Sequence, residues 1–181
     1  MIAPVFFYKK MKNNLHYCGE LGKIVVLSGR KWKEYIILVM FMGEFNHSVD
    51  AKGRVIVPSK FRDKLGESFV ITKGFDRCLS IYDIENWTGV QEKLSMMPML
   101  TEDARTIRRM MVGSATEAEF DKQGRVLLPA PLREYAGISK DAVMIGNIDH
   151  IEIWSKDAWN KAQNIDADAA AEKLYDSGII L

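Results

Sequence analysis

The chain has 181 residues, 25 Lys/Arg against 24 Asp/Glu, and 48% hydrophobic residues. That length suits one medium domain or two small ones, and the balanced charge counts against a protein whose whole surface grips a polyanion. Two cysteines without close cysteine neighbours (Cys18, Cys78) and three scattered histidines (His16, His47, His150) point to neither a disulfide framework nor a metal site. No cofactor is expected, and the cysteine usage fits a reducing cytoplasm.

Taken in chain order, the first segment differs from the rest. Residues 1–41 carry seven Lys/Arg and two Glu, leaving 18 basic and 22 acidic residues in the remainder. The apolar run Ile36–Met42 is far shorter than the ~20 residues a transmembrane helix needs, so no membrane association is expected. Lys9, Lys10, Lys12, Lys23 and the run Arg30–Lys33 interrupt any secretory h-region. Two readings stay open: a basic arm that aids binding to a polyanion, or a translation start at Met40 or Met42 with upstream sequence read in frame.

Beyond it, one pattern is written twice. Asp50-Ala51-Lys52-Gly53-Arg54-Val55-Ile56-Val57-Pro58 returns 71 positions later as Asp121-Lys122-Gln123-Gly124-Arg125-Val126-Leu127-Leu128-Pro129. Repetition on this scale means two copies of one small unit, each near the lower size limit for burying a self-sufficient core. In the first copy, Glu44–Val49 is a strand candidate and Asp50–Gly53 a turn, where Asp bonds its own backbone and Gly supplies φ > 0. Arg54–Val57 reads as a buried strand, ended by Pro58 and followed by a short helix over Ser59–Leu65. Strands over Phe69–Thr72 and Cys78–Tyr82 and a helix over Ile84–Leu94 complete the unit.

Next come Met96–Leu100, expected to fill core between the units, and a helix over Thr101–Met111 with Thr101 as its N-cap. The second copy repeats the order: strand Ala118–Phe120, turn, strand Val126–Leu128, helix Pro131–Tyr135, strands Val143–Ile145 and Ile151–Trp154, and helix Lys156–Gln163. The tail, Asp166–Asp176, is a marginal amphipathic helix or partly disordered.

Two accounts of D-x-x-G-R compete. In the first it is a hairpin turn in which Asp caps, Gly turns the chain and Arg pairs with Asp. In the second, Arg54 and Arg125 grip phosphate or guanine edges, because a planar guanidinium donates bidentate hydrogen bonds and a hairpin does not require one after Gly. Lys52 and Lys122 add charge at the same turns, and Arg62 and Arg133 follow on the short helices. An enzyme is not expected: the chain has no GK[ST] phosphate loop, G-x-S-x-G, H-E-x-x-H or usefully spaced Cys–His pair.

The stretch Met40–Pro58, the second D-x-x-G-R and the Trp-bearing ends Leu79–Trp87 and Ile151–Trp159 closely resemble the MraZ family of bacterial transcriptional regulators, over about residues 40–165. The resemblance implies an α+β, mainly β fold: two tandem AbrB-like swapped-hairpin units (the SpoVT-AbrB superfamily) forming a pseudo-symmetric β-barrel with flanking helices. It divides the chain into a non-family extension 1–39, a first unit 40–95, a linker helix 96–113, a second unit 114–165 and a tail 166–181. Family members usually begin near the Met40-Phe41 equivalent, which favours the later start. The resemblance further implies a cytoplasmic, nucleoid-associated repressor of its own division and cell-wall operon, assembled as a ring-shaped homo-oligomer on short direct repeats of upstream double-stranded DNA. Arg54 and Arg125 would then lie on DNA, with Asp50, Gly53, Asp121 and Gly124 shaping the loops, and each loop would supply one weak half-contact. An antitoxin-like or scaffolding protein-interaction module is the competing expectation.

Overall fold

The structure, a computed structural model, describes residues 15–17, 23–28, 31–36, 41–164 and 167–176. The chain separates into two compact units, residues 1–38 and 39–181. In the first, β1 (Leu15–Tyr17), β2 (Lys23–Ser28) and β3 (Lys31–Ile36) form an antiparallel sheet in that order.

The second unit holds the duplicated sequence. Copy one gives β4 (Phe41–Ser48), β5 (Arg54–Ile56), α1 (Ser59–Leu65), β6 (Ser68–Lys73), β7 (Leu79–Asp83) and α2 (Ile84–Ser95). After α3 (Glu102–Met111), copy two gives β8 (Thr116–Glu119), β9 (Arg125–Leu127), α4 (Ala130–Tyr135), β10 (Asp141–Ile148), β11 (His150–Ser155) and α5 (Lys156–Ala162); α6 spans Ala167–Asp176. The architecture is α+β, with antiparallel ladders throughout.

The copies exchange strands. The six-stranded sheet runs β4-β10-β11-β7-β6-β8, so each copy's first strand pairs with the other copy's third. Ala142 pairs with His47, and Phe69 with Ala118, which are equivalent pairs in the repeat. Two ladders cross the pseudo-two-fold axis at equivalent residues: Val55 faces Val126 between β5 and β9, and Ser80 faces Glu152 between β7 and β11. The ladder hydrogen bonds leave β4 and β8 as the two ends of the sheet, and β5–β9 forms a separate ribbon.

Exchange solves the size problem seen in the sequence. One core serves both copies: Val55 with Val126, Val57 with Leu128, Phe61 with Leu132, Leu79 with Ile151 and Ile81 with Ile153 are all buried in one cluster. Where copy two is small (Ala136, Ala142), copy one is large (Leu65, Phe69). Phe61 meets Phe41 and Phe45 edge-on, with ring centroids 5.8 and 5.1 Å away. Outside this core the repeat also holds: Trp87 packs on Tyr82, and Trp159 on Trp154. Asp83 and Ser155 cap α2 and α5 through the N–H groups of Asn86 and Ala158.

Two expectations need correction. Met96, Met99 and Leu100 are 82%, 54% and 93% exposed, so the cluster lies at the surface between α2 and α3 instead of filling core. Thr101 occupies the N-cap of α3, but its hydroxyl donates to the Pro98 carbonyl and caps nothing.

One charged cluster sits outside the repeat pattern. At the β10–β11 turn, His150 Nδ1 lies 2.7 Å from Asp149 Oδ1 and Nε2 lies 3.5 Å from Glu152 Oε1. The ring stacks on Tyr82 at 4.9 Å. Glu152 also accepts from Asn147 Nδ2 and Trp154 Nε1, at 3.0 and 2.9 Å. Burial disfavours the charged imidazole, but the hydrogen bonds to Glu152 and Asp149 outweigh it and raise the His150 pKa.

Candidate nucleic-acid interface

The aspartate builds each D-x-x-G-R turn. Asp50 Oδ1 accepts from the backbone N–H groups of Lys52 and Arg54, both at 2.9 Å. The Asp50 carbonyl accepts from Gly53 N–H at 2.8 Å, and Asp50 N–H donates to the Arg54 carbonyl at 2.8 Å. Asp121 repeats these bonds with Gln123, Arg125 and Gly124. Gly53 and Gly124 stand at φ +80° and +73°, which a residue with a Cβ adopts only with strain.

The arginine is clamped by the same aspartate. Arg54 donates to Asp50 Oδ2 through Nε at 2.8 Å and Nη2 at 2.6 Å; Arg125 does the same to Asp121, at 2.7 Å from each nitrogen. These bonds, the side-chain one first, hold both carboxyls at about 2, below their ordinary 3.8. Asp–Arg pairing therefore occurs inside each turn, and it orients the guanidinium.

Pairing of β5 with β9 brings the two turns together. Arg54 Nη1 lies 3.9 Å from Asp121 Oδ2, and Arg125 Nη1 lies 3.7 Å from Asp50 Oδ2. Four charges of alternating sign thus form one network across the pseudo-two-fold axis. The Gly53 carbonyl accepts from Leu128 N–H at 2.9 Å and the Gly124 carbonyl from Val57 N–H at 3.1 Å, tying each turn to the other copy's strand. The two loops of one chain are one composite head.

Arg62 and Arg133 support that head from the opposite copies. A Cβ on Gly53 would lie 2.9 Å from Arg133 Nε, and one on Gly124 would collide with the Arg62 guanidinium. Arg133 Nε also donates to the Leu128 carbonyl at 3.1 Å, whereas Arg62 Nε is buried without a hydrogen-bond partner. Both arginines are half-buried, while Lys52 and Lys122 are exposed at the turn tips. Arg54 and Arg125 keep 29% and 22% of their side-chain surface exposed, so neither side chain is fully enclosed. Segments 50–62 and 121–133 together hold seven Lys/Arg and two Asp, a basic locale in a slightly acidic body.

The β5–β9 ribbon also shows what a reading of a buried strand misses. Val55 and Val126 face the core, but Ile56 and Leu127 are 49% and 56% exposed on the face that carries Arg54 and Arg125. The signal is present in the sequence: period-two alternation counted from Arg54 puts Val55 and Val57 inside and Ile56 outside. Among the described residues, no group of three or more His, Cys, Asp or Glu could hold a metal, and no helix is long and apolar enough to cross a membrane.

A family model described as "MraZ protein, putative antitoxin-like" matches residues 40–110 and again 111–176, one match per copy. The chain belongs to the MraZ family. Similar proteins include one of Thermoanaerobacter sp. (strain X514), 48% identical over 143 residues, and one of Clostridium tetani (strain Massachusetts / E88), 50% identical over 142. A protein of Clostridium beijerinckii (strain ATCC 51743 / NCIMB 8052) is also 50% identical over 142 residues. Each alignment spans 77% of this chain and the whole of the relative, and each relative is named transcriptional regulator MraZ.

Proposed function

We propose that the chain is a sequence-specific DNA-binding transcriptional regulator, a repressor of its own division and cell-wall operon, that binds short direct repeats upstream of that operon as a ring-shaped homo-oligomer. The observation that carries this reading is the composite head: two D-x-x-G-R turns, each closed by an ion pair of 2.6–2.7 Å and joined to the other by ion pairs of 3.7 and 3.9 Å, on a basic locale. Asp50 and Asp121 fix the arginines before any ligand arrives, so little side-chain ordering remains to oppose binding. The guanidinium N–H groups left over, with Lys52 and Lys122, would contact phosphates or guanine edges, and Arg62 and Arg133 would support the loops that present them. A two-stranded ribbon fits the major groove.

Each chain then offers one contact, not one per loop. A ring multiplies these contacts by avidity when its spacing matches the repeats. Phosphate contacts make binding fall steeply with salt. The same proposal covers residues 40–95 and 114–165 as two SpoVT-AbrB-like units with a linker helix between them and a tail at 166–181, residues 1–39 as an extension outside the family, closure of the sheet and ribbon into a pseudo-symmetric barrel, and a cytoplasmic, nucleoid-associated location.

The test is a gel shift on the DNA upstream of the chain's own coding sequence. Arg54→Ala and Arg125→Ala should each weaken binding at least ten-fold, at roughly 1.4 kcal/mol per decade; wild-type affinity in both would sink the loop-contact reading. Native mass spectrometry reads the assembly. A second reading, an antitoxin-like or scaffolding module, is favoured by the exposed Met96, Met99 and Leu100. It predicts a protein partner whose binding is lost on Leu100→Asp and unaffected by the arginine variants.

A further inference from the structure

We infer that Ile56 and Leu127 read thymine methyl groups in the major groove, and so supply apolar base recognition beside the arginines. The inference rests on the DNA-binding reading above and deepens it.

The β5–β9 register fixes the layout. Arg54 faces Leu127 and Ile56 faces Arg125, with Val55 and Val126 turned into the core between them. The outward face is therefore a checkerboard of two guanidiniums and two aliphatic groups, with Ile56 and Leu127 on one diagonal. Both aliphatics are about half exposed, at 49% and 56%. Neighbouring Val57 and Leu128 are fully buried, so the core is completed without them. At that exposure Ile56 and Leu127 each leave about half of their surface in water, so folding does not use the whole of it.

The occupant follows from charge and shape. Segments 50–62 and 121–133 carry seven basic and two acidic residues, which suits a polyanion and would set like charges against each other if two copies packed through this same face. Of the base edges in the major groove, thymine alone presents a methyl group, and aliphatic contact with it discriminates thymine from the other bases. Division of labour results: guanidiniums for phosphate or guanine, aliphatics for thymine. The two halves differ only modestly (Ile56 against Leu127), so the apolar pair reads two positions related by the pseudo-two-fold axis.

The experiment compares two duplexes of the DNA upstream of the chain's own coding sequence, identical except that uracil replaces thymine, by fluorescence anisotropy at one fixed salt concentration. Wild-type protein should bind the uracil duplex about four-fold more weakly for each methyl removed from a contact. An Ile56→Ser/Leu127→Ser double variant should bind both duplexes equally, near the wild-type level on uracil, with its far-UV circular dichroism and salt dependence unchanged. Ile56→Val, which keeps a branched aliphatic group, should retain discrimination. Equal wild-type binding to both duplexes overturns the inference while leaving the regulator reading standing. Discrimination that survives in the double variant also overturns it, since the methyls are then read elsewhere. Failure of wild type to bind either duplex at low salt removes the regulator reading and this inference together.

Discussion

Gly53→Ala tests how the composite head is held together. Gly53 stands at φ +80°, where an L-residue costs about 1–2 kcal/mol. Its added Cβ would lie 2.9 Å from Arg133 Nε, so the guanidinium must shift, which strains the 3.1 Å bond to the Leu128 carbonyl. A charged donor of this kind contributes about 1.5 kcal/mol at a half-exposed site. The expected destabilisation is therefore up to about 3 kcal/mol. The protein supplies its own control: Gly137 stands at φ +62° in the C-terminal turn of α4, with Ser155 Oγ at an ordinary 3.9 Å from the place a Cβ would take, so Gly137→Ala isolates the backbone cost of about 1–2 kcal/mol. Urea unfolding of both variants gives the difference, and an Arg133→Ala/Gly53→Ala cycle gives the coupling. Equal destabilisation by Gly53→Ala and Gly137→Ala, with no coupling to Arg133, would refute the claim that the turn of one copy is seated on the arginine of the other.

Phe61→Ala removes a fully buried ring that contacts Phe41 and Phe45, and should cost about 3–5 kcal/mol by urea unfolding, against about 0.5 or less for Lys122→Ala. Asp50 and Asp121 have depressed folded pKa values, so their contribution is complete above their ordinary 3.8 and is lost as pH falls towards 2. Thermal melts across pH 5 to 2 should show that loss, reduced in an Asp50→Asn/Asp121→Asn variant. His150 has a raised folded pKa, so its contribution is complete below 6.5 and is lost as pH rises through the folded value. Melts from pH 6 to 9 should fall in wild type and flatten in His150→Asn.

The sequence reading succeeds where one local rule decides. Asp50 and Gly53 are legible because few residues make an Asx turn with a positive φ, and the doubled motif repeats the demand. Strand exchange is not legible from the repeat, because two similar copies say nothing about which copy each strand pairs with. The β4–β10 and β6–β8 ladders lie beyond the reach of any short window. Arg54 is half legible: its chemistry suits a phosphate or guanine, but only the fold shows Asp50 and Asp121 holding it from both sides. Met96, Met99 and Leu100 mislead because apolarity favours burial only when an element is positioned to cover it.

Interleaved pairing also governs how the chain must be made. β4 leaves the ribosome about 100 residues ahead of β10, which covers it, as with Asn46 and Val143. At ~5–20 residues per second the first strand waits roughly 5–20 s for that partner. The β6–β7 hairpin is local and can close at once, yet Val55 gains its ladder partner Val126 only when copy two emerges. A nascent chain in this interval is half of a two-fold object, and the matching half it seeks is also present on every neighbouring nascent chain of the same polysome.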